Sequence, residues 1–334
     1  MSRKLASVKR ITKIFPIPDA HSIECAEVDY GWQVIVKKGE FQVNSLAIYL
    51  EIDSWVPNEL APFLAKKKSK EFNGVFGERL RTIKLRGQIS QGLLLPLTKD
   101  IPENTDLTQE LKIQKWEHPS EIPIRKTGDP FPSFIRKTDQ ERCQNLANKL
   151  FGNYQNEEFE VTIKLDGSSI TIYKMDGHVG VCSRNFEQPQ DNTSYYWMAA
   201  VQQNLINAIR CYPQNIAIQG ELIGEKFQGN PEKIKGHRIY LFDIFDISNN
   251  CYIRSKQRMQ ILKELQEFGA DLQHIPILSE KQSLSNFHTI SDFLEYAEGP
   301  SMNTNIIREG LVFKHIHSDF SFKAISNTYL LQQK

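Results

Sequence analysis

Between residues 101 and 132 the chain carries Pro102, Pro119, Pro123, Pro130 and Pro132. Proline fixes φ and has no N–H to donate, so this density opposes both helix and central strand. It divides the chain into residues 1–100, a proline-rich linker over 101–132, and residues 133–334. In the first segment, "SVKRITKIFPI", "IECAEV", "GWQVIVKKG", "SLAIYLEI" and "GLLLPL" are β-branched or aromatic runs separated by Pro, Gly, Asn and Asp. They predict a small β-barrel of about five strands, and the OB fold is the commonest nucleic-acid-binding barrel of that size.

After the linker, Thr138 and Glu141 have capping-box spacing ahead of Cys143, Leu146 and Leu150, which predicts a helix there. From Glu158 strands dominate: "EFEVTIKLDG", "SSITIYKMDG", "VGVCSRN", "IAIQGELIG", "RIYLFDIFDI", "EGLVFKHI" and "FSFKAIS". Helical patterns interrupt them at Ser194–Cys211, at Ser255–Phe268 with Gly269 as C-cap, and near Ile290–Ala297. The order predicts an α+β fold: an OB-like barrel followed by a domain of antiparallel sheets with flanking helices.

With 334 residues, 40% hydrophobic and 24% charged, the chain can bury two cores. No apolar run approaches the ~18 residues of a membrane span, and "MSRKLASVKRITKIF" lacks the apolar centre of a secretory signal. An intracellular, cytoplasmic protein is expected. Cys25, Cys143, Cys182, Cys211 and Cys251 are scattered and include no CxxC pair, which predicts small core residues rather than a disulfide framework or zinc site. The net charge of +1 is uninformative. Its distribution is not: Lys66, Lys67, Lys68, Lys70, Arg79, Arg81, Lys84 and Arg86 face only Glu71 and Glu78 in the same stretch, with Phe72 and Phe76 interleaved. That pattern suits a surface gripping nucleic-acid backbone and stacking bases, or simply a solvated loop.

Two stretches look alike, "TIKLRGQIS" from Thr82 and "TIKLDGSSI" from Thr162. A nucleophilic lysine must be neutral, and burial or a neighbouring cation can lower its pKa enough. Lys164, between Ile163 and Leu165 and ahead of Asp166-Gly167, suits that role, although a surface hairpin lysine gives the same local pattern. Lys84 is followed by Arg86 where the first pattern needs an acid, so it reads as a phosphate contact or a plain strand residue.

Beyond Lys164 come "SRN" with Arg184 and Asn185, "QGELIG" with Glu221, "YLFDIF" with Phe242, "REGLVFK" with Glu309 and Lys314, and "FSFKAISN" with Lys323. This ordered series, spanning roughly residues 133–334, resembles the covalent nucleotidyltransferase superfamily of ATP-dependent ligases and mRNA capping enzymes. Within it, "VCSRN", "YLFDI" and "FKAIS" resemble RNA ligases of the phage nick-sealing type. With the preceding barrel, the chain is similar to RNA ligases of the Naegleria and Deinococcus type. The chain ending eleven residues after Lys323 fits that type, which lacks the C-terminal OB domain of DNA ligases and capping enzymes.

The resemblance implies that Lys164 takes AMP from ATP, that AMP passes to an RNA 5′-phosphate, and that a 3′-hydroxyl displaces it. It makes Lys323 and a Mg2+ or Mn2+ ion the expected counter-charges, which would also depress the Lys164 pKa. Glu221 matches the residue that binds the ribose, and Arg184 the cation near the ribose and RNA terminus. Phe242 matches the stacking aromatic, against an ordinary core role, and Glu309 an acid that binds metal through water, with Glu221 beside it. Asp166, Thr162, Ile163 and Lys314 fall to the nucleotide, and Asn185 to RNA. Ile163 stands where the phage enzyme has a polar adenine contact, which shifts adenine selection to backbone atoms or Thr162. Ile325 replaces the second lysine of the last motif.

Asp243 and Asp246 read as turn residues rather than metal ligands, and His315 and His317 as one face of a solvent-facing strand. The expected partner is RNA with 5′-phosphate and 3′-hydroxyl ends in a nicked duplex, bound by a monomer. The alternatives are a guanylyl-transferring capping enzyme, a DNA ligase, or an inactive nucleic-acid-binding protein.

Overall fold

The computed structural model describes residues 3–65, 70–116, 128–191 and 194–333. Lys66, Lys67 and Lys68 lie outside the described residues. In the first hundred residues the β-branched runs become β1 (Ala6–Pro16), β2 (Ile23–Val28), β3 (Trp32–Lys37), β4 (Leu46–Leu50), β5 (Ser54–Pro57), β6 (Lys70–Phe72), β7 (Val75–Arg79), β8 (Thr82–Leu85), β9 (Gln88–Gln91) and β10 (Leu93–Pro96). A five-stranded sheet in the order β10-β4-β1-β2-β3 forms the half-barrel expected of an OB fold, and β7 joins β5 to β6. Asn and Asp residues at positive φ, such as Asp19, Asn44 and Asn73, make the turns.

Of the stretch expected to be a linker, residues 117–127 lie outside the described residues, and each described flank packs on the domain it adjoins. Asp106 bridges Ser7, β11 (Gln114–Lys115) pairs with β5, and Leu107 and Ile113 are buried against Leu5, Ala6 and Val8. Residues 101–116 therefore complete the barrel. Farther on, Pro130 bridges Phe186 and Phe131 N donates to Asn185 O, so this part packs on the second domain.

The second domain holds two facing sheets. The first contains β12 (Glu141–Arg142), β22 (Ser321–Ile325), β21 (Gly310–His315), β13 (Glu158–Lys164) and β20 (Ile277–Ser283), in that order. The second contains β15 (His178–Cys182), β14 (Ser168–Met175), β16 (Ile216–Gly224), β17 (His237–Asp246) and β18 (Cys251–Tyr252), with β19 (Gln273–His274) beside β17. The helices are α1 (Ala147–Asn153), α2 (Tyr195–Gln202), α3 (Leu205–Cys211), α4 (Ser255–Glu267), α5 (Ile290–Tyr296) and α6 (Asn327–Gln332). None is long and apolar enough to cross a membrane.

Several local readings need correction. Thr138 and Glu141 make no capping box: Glu141 enters β12, a 3-10 turn covers Cys143–Leu146, and α1 begins only at Ala147. The tertiary pairing of β12 with β22 outweighs the helical pattern. The helix expected over Ser194–Cys211 breaks at Asn204, whose φ is 56°. The capping box belongs instead to Thr289 and Asp292 of α5. At the end of α4, Gly269 takes φ 90°, as expected of a C-cap glycine. All five cysteines are free, with Cys25, Cys143 and Cys182 buried.

Candidate active site

Lys164 stands where the chain crosses from one sheet to the other. It is the last residue of β13, which pairs with β21, whereas β14 pairs with β16 in the facing sheet. The surface-hairpin alternative thus belongs only to Lys84, which lies exposed on the β8–β9 hairpin and turns at Arg86 and Gly87. The Leu165-Asp166-Gly167 crossing has no room for a side chain at Gly167. A Cβ there would lie 2.5 Å from both Ile223 Cγ2 and Leu222 O. Gly167 N also donates to Glu221 Oε1 at 3.1 Å, and Tyr329 Oη of α6 donates to Asp166 Oδ2 at 2.6 Å.

Strand alternation divides the residues of β13. Phe159, Val161 and Ile163 enter the core with Leu311, Phe313 and Phe322. Glu160, Thr162 and Lys164 point the other way, into the cleft. Ile163 is therefore a core side chain, 8% exposed, with its N–H bonded to Pro276 O at 3.0 Å. Lys323 and Lys314 share the cleft face through their register with Val312 and Glu160. From the second sheet, Ser169, Glu221 and Gln219 look back across the cleft.

Lys164 Nζ donates to Glu309 Oε2 at 2.6 Å. Burial alone would lower its pKa, but Glu309 and Glu221 outweigh it, and the net shift is upward. The neighbouring Lys323 shifts the other way. Burial, then Arg142, Lys164 and Arg3, lower it to about 7. Burial raises Glu221 to about 8 against the pull of Lys164, helped by Glu309. Glu309, Glu221 and Asp166 supply the carboxylate oxygens around the lysine, and among the described residues no three His, Cys, Asp or Glu form a ready metal cage.

Farther along the cleft, Lys314 lies 2.9 Å from Asp243 and donates to Phe242 O. Phe242 occupies a β-bulge: Gln219 pairs with Asp243 and Gly220 with Leu241, leaving Phe242 unmatched between them. The Lys314 ammonium is 5.7 Å from its ring centroid. Asp243 is no turn residue; it joins Arg258 and Glu160 in a buried charge cluster with Lys314. Asp246 is one, accepting from Asn249 N at 2.9 Å. His315 is buried against Tyr154 and Phe159 with Glu157 3.0 Å away, and β21 ends there, so His317 shares no strand face with it.

At the mouth of the cleft Arg184 pairs with Asp139, and Asn185 Oδ1 accepts from Lys137 at 3.0 Å. Of the basic run, Lys70, Lys84 and Arg86 are exposed and Arg81 half-buried. Arg79 is committed inside the protein: its guanidinium stacks 3.7 Å from the Trp116 ring centroid and pairs with Asp53 at 2.6 Å. Phe72 packs on Trp55, while Phe76 is 57% exposed.

Sequence reasoning missed Arg142, Gln219 and Tyr329. Arg142 is buried beside Lys323 in the β12–β22 register, and its Nη2 is 3.5 Å from Asp53 of the barrel. No local motif marks it, because the pairing that places it is long-range. Ile325, at the vacant second lysine position, is buried in the barrel core instead.

Two facing antiparallel sheets, a lysine at their crossing and a carboxylate partner on each side define the nucleotidyltransferase class of site. An OB-fold domain family matches residues 5–97, and the RNA ligase family matches residues 157–325. A search of curated proteins returned no match. Among solved structures, a lysine-to-alanine variant of Naegleria gruberi RNA ligase with ATP and Mn is 44% identical, covers 99% of both chains and superposes with a TM-score of 0.92. The same Naegleria gruberi enzyme with PPi is 44% identical over 98% of both chains, with a TM-score of 0.91. The chain belongs to the RNA ligase family.

Proposed function

We propose that this protein is an ATP-dependent RNA ligase that seals 3′-hydroxyl and 5′-phosphate ends in nicked duplexes. The observation that carries the reading is Lys164, paired with Glu309 and facing Glu221 across the cleft. Neutral Lys164 Nζ attacks the α-phosphate of ATP. A P–N bond forms, the bond to the bridging oxygen breaks, and pyrophosphate leaves. An oxygen of the RNA 5′-phosphate then attacks the same phosphorus and releases the lysine. The 3′-hydroxyl finally attacks the RNA phosphate, forming the phosphodiester and releasing AMP. Each step is a displacement at phosphorus whose non-bridging oxygens need opposing charge.

Lys323 meets that need from the protein. It has no hydrogen bond or ion pair among the described residues, and its lowered pKa reflects crowding by other cations, a state that an arriving phosphate would relieve. The sparse carboxylate set of Glu309 and Glu221 fits Mg2+ or Mn2+, hard cations that keep part of their water and share phosphate oxygens. Bound there, such an ion would neutralise charge on the phosphates. Glu221 is placed for the ribose, Phe242 and Thr162 for the base, and Arg184 and Asn185 for the RNA terminus. Asp166 fixes the crossing through Tyr329, and Lys314 fixes the bulge that carries Phe242. Exposed Lys70, Lys84 and Arg86, with Arg81, are the barrel's contacts to RNA backbone.

The test is incubation with α-labelled ATP or GTP. Label from ATP should remain on the protein and be lost in Lys164→Ala, and labelled protein should seal nicked RNA. A stable adduct from GTP alone would instead indicate a capping enzyme, and absence of any adduct an inactive binding protein.

A further inference from the structure

Among the described residues, three buried oxygens on the cleft faces lack a hydrogen-bond partner; one, Glu160 Oε2, belongs to a carboxylate already ion-paired with Arg258, and the other two have no charge partner. Thr162 Oγ1 and Gln219 Oε1 lack hydrogen-bond partners, and both residues are 0% exposed. A buried acceptor left without a donor has lost its hydration with nothing in return. Native structures keep few such groups, and those at a binding cleft point to a partner that arrives from outside.

The two oxygens occupy neighbouring positions on facing walls. Thr162 lies two residues before Lys164 on the cleft face of β13, and Gln219 two residues before Glu221 on the cleft face of β16. The Lys314–Asp243 ion pair, 2.9 Å, shows that these faces meet. Asp243 is the cross-strand partner of Gln219, and Lys314 lies two residues beyond Val312, the partner of Thr162. Phe242, in its bulge, adjoins Gln219 on the neighbouring strand.

The Gln219 amide has only one orientation. Its Nε2 donates to Arg136 O at 2.8 Å, and a carbonyl can only accept. Oε1 is therefore the atom left to the cleft, and it too can only accept. The Thr162 hydroxyl can rotate to present a lone pair beside it.

We propose that Gln219 Oε1 and Thr162 Oγ1 form the acceptor pair that reads the exocyclic 6-amino group of the nucleobase. The inference rests on the nucleotide site proposed above and assigns its base specificity. Adenine offers an N–H donor at that position. A 6-keto purine offers a lone pair, which leaves both protein oxygens unpaired and facing a third acceptor. Selection on these two side chains also explains how the site can work with Ile163 turned into the core.

Covalent label uptake is measured at subsaturating nucleotide for α-labelled ATP, purine riboside triphosphate and ITP, with full-length wild type, Gln219→Met and Thr162→Val. Thr162→Val leaves the Gln219–Arg136 tether intact, and so covers the case in which Gln219→Met disturbs the chain around Arg136. The wild type should prefer ATP over both analogues. Each substitution should lower the preference for ATP over purine riboside triphosphate about tenfold, the worth of one buried hydrogen bond. An unchanged preference in both variants overturns the inference and leaves the nucleotide site standing. A wild type that takes no label from ATP overturns both.

Discussion

Lys164 keeps its proton in the ligand-free protein because Glu309 and Glu221 together outweigh its burial. Attack on phosphorus requires the free amine, so the rate of adduct formation should rise with pH until the lysine is half-neutral. Glu309→Gln removes the nearest carboxylate and leaves burial less opposed. The acid limb of the rate–pH profile should therefore move to lower pH in Glu309→Gln, even as the maximal rate falls. Single-turnover label transfer across about pH 6–10, the range around ordinary lysine titration, measures this directly. A limb that stays in place would mean that another group controls the profile. Arg142 bears on the same balance from the other side: it stands beside Lys323 and helps lower that lysine to about 7.

Elements hold these residues at fixed spacing, and their own chemistry can be tested apart from the reaction. Thr289 caps α5 in a reciprocal box with Asp292, with Asp292 Oδ2 accepting from Thr289 N at 2.9 Å. Thr289→Ala should cost about 1 kcal/mol by urea unfolding and leave the rate of adduct formation unaltered, since α5 contributes no side chain to the cleft. The same element marks the limit of local reading. Its extent is legible from the apolar spacing, yet the same capping-box spacing of a threonine and an acid occurs at Thr138 and Glu141, where it meets a different tertiary demand: Glu141 is drawn into β12 by β22. The motif lysines and carboxylates were legible because the chemistry fixes their residue types and order. Gln219 and Arg142 were not, because each depends on a partner far along the chain: Arg136 O for one, and Asp53 of the barrel for the other. The upward shift of Lys164 in the ligand-free protein was not legible either, since two acids remote in sequence cause it.

At the scale of the whole molecule the two domains share a core. Ile325 of β22 and Leu330 of α6 are buried among Ile11, Val28, Trp32 and Leu94 of the barrel. Polar contacts frame that junction: Trp32 Nε1 donates to Asn145 Oδ1 at 2.6 Å, Asn145 Nδ2 to Glu51 Oε1 at 2.8 Å, and Gln91 Nε2 to Asn327 Oδ1 at 3.1 Å. Separating the domains would expose these apolar side chains and take Asp53 from Arg142. The chain should consequently unfold as one cooperative unit. Its reporters separate in part, because the six α-helices of the described residues lie in the second domain whereas Trp32, Trp55 and Trp116, three of the four tryptophans, lie in the barrel and Trp197 in α2. Helical circular dichroism and tryptophan fluorescence should therefore give coincident urea transitions. Leu330→Ala empties part of the shared core and should destabilise by about 2–4 kcal/mol. Both signals should shift together in that variant. If fluorescence moved to lower urea while the helical signal held its midpoint, the barrel would be an independent unit, and its contact with the Lys323 strand would be a docking surface rather than a common core.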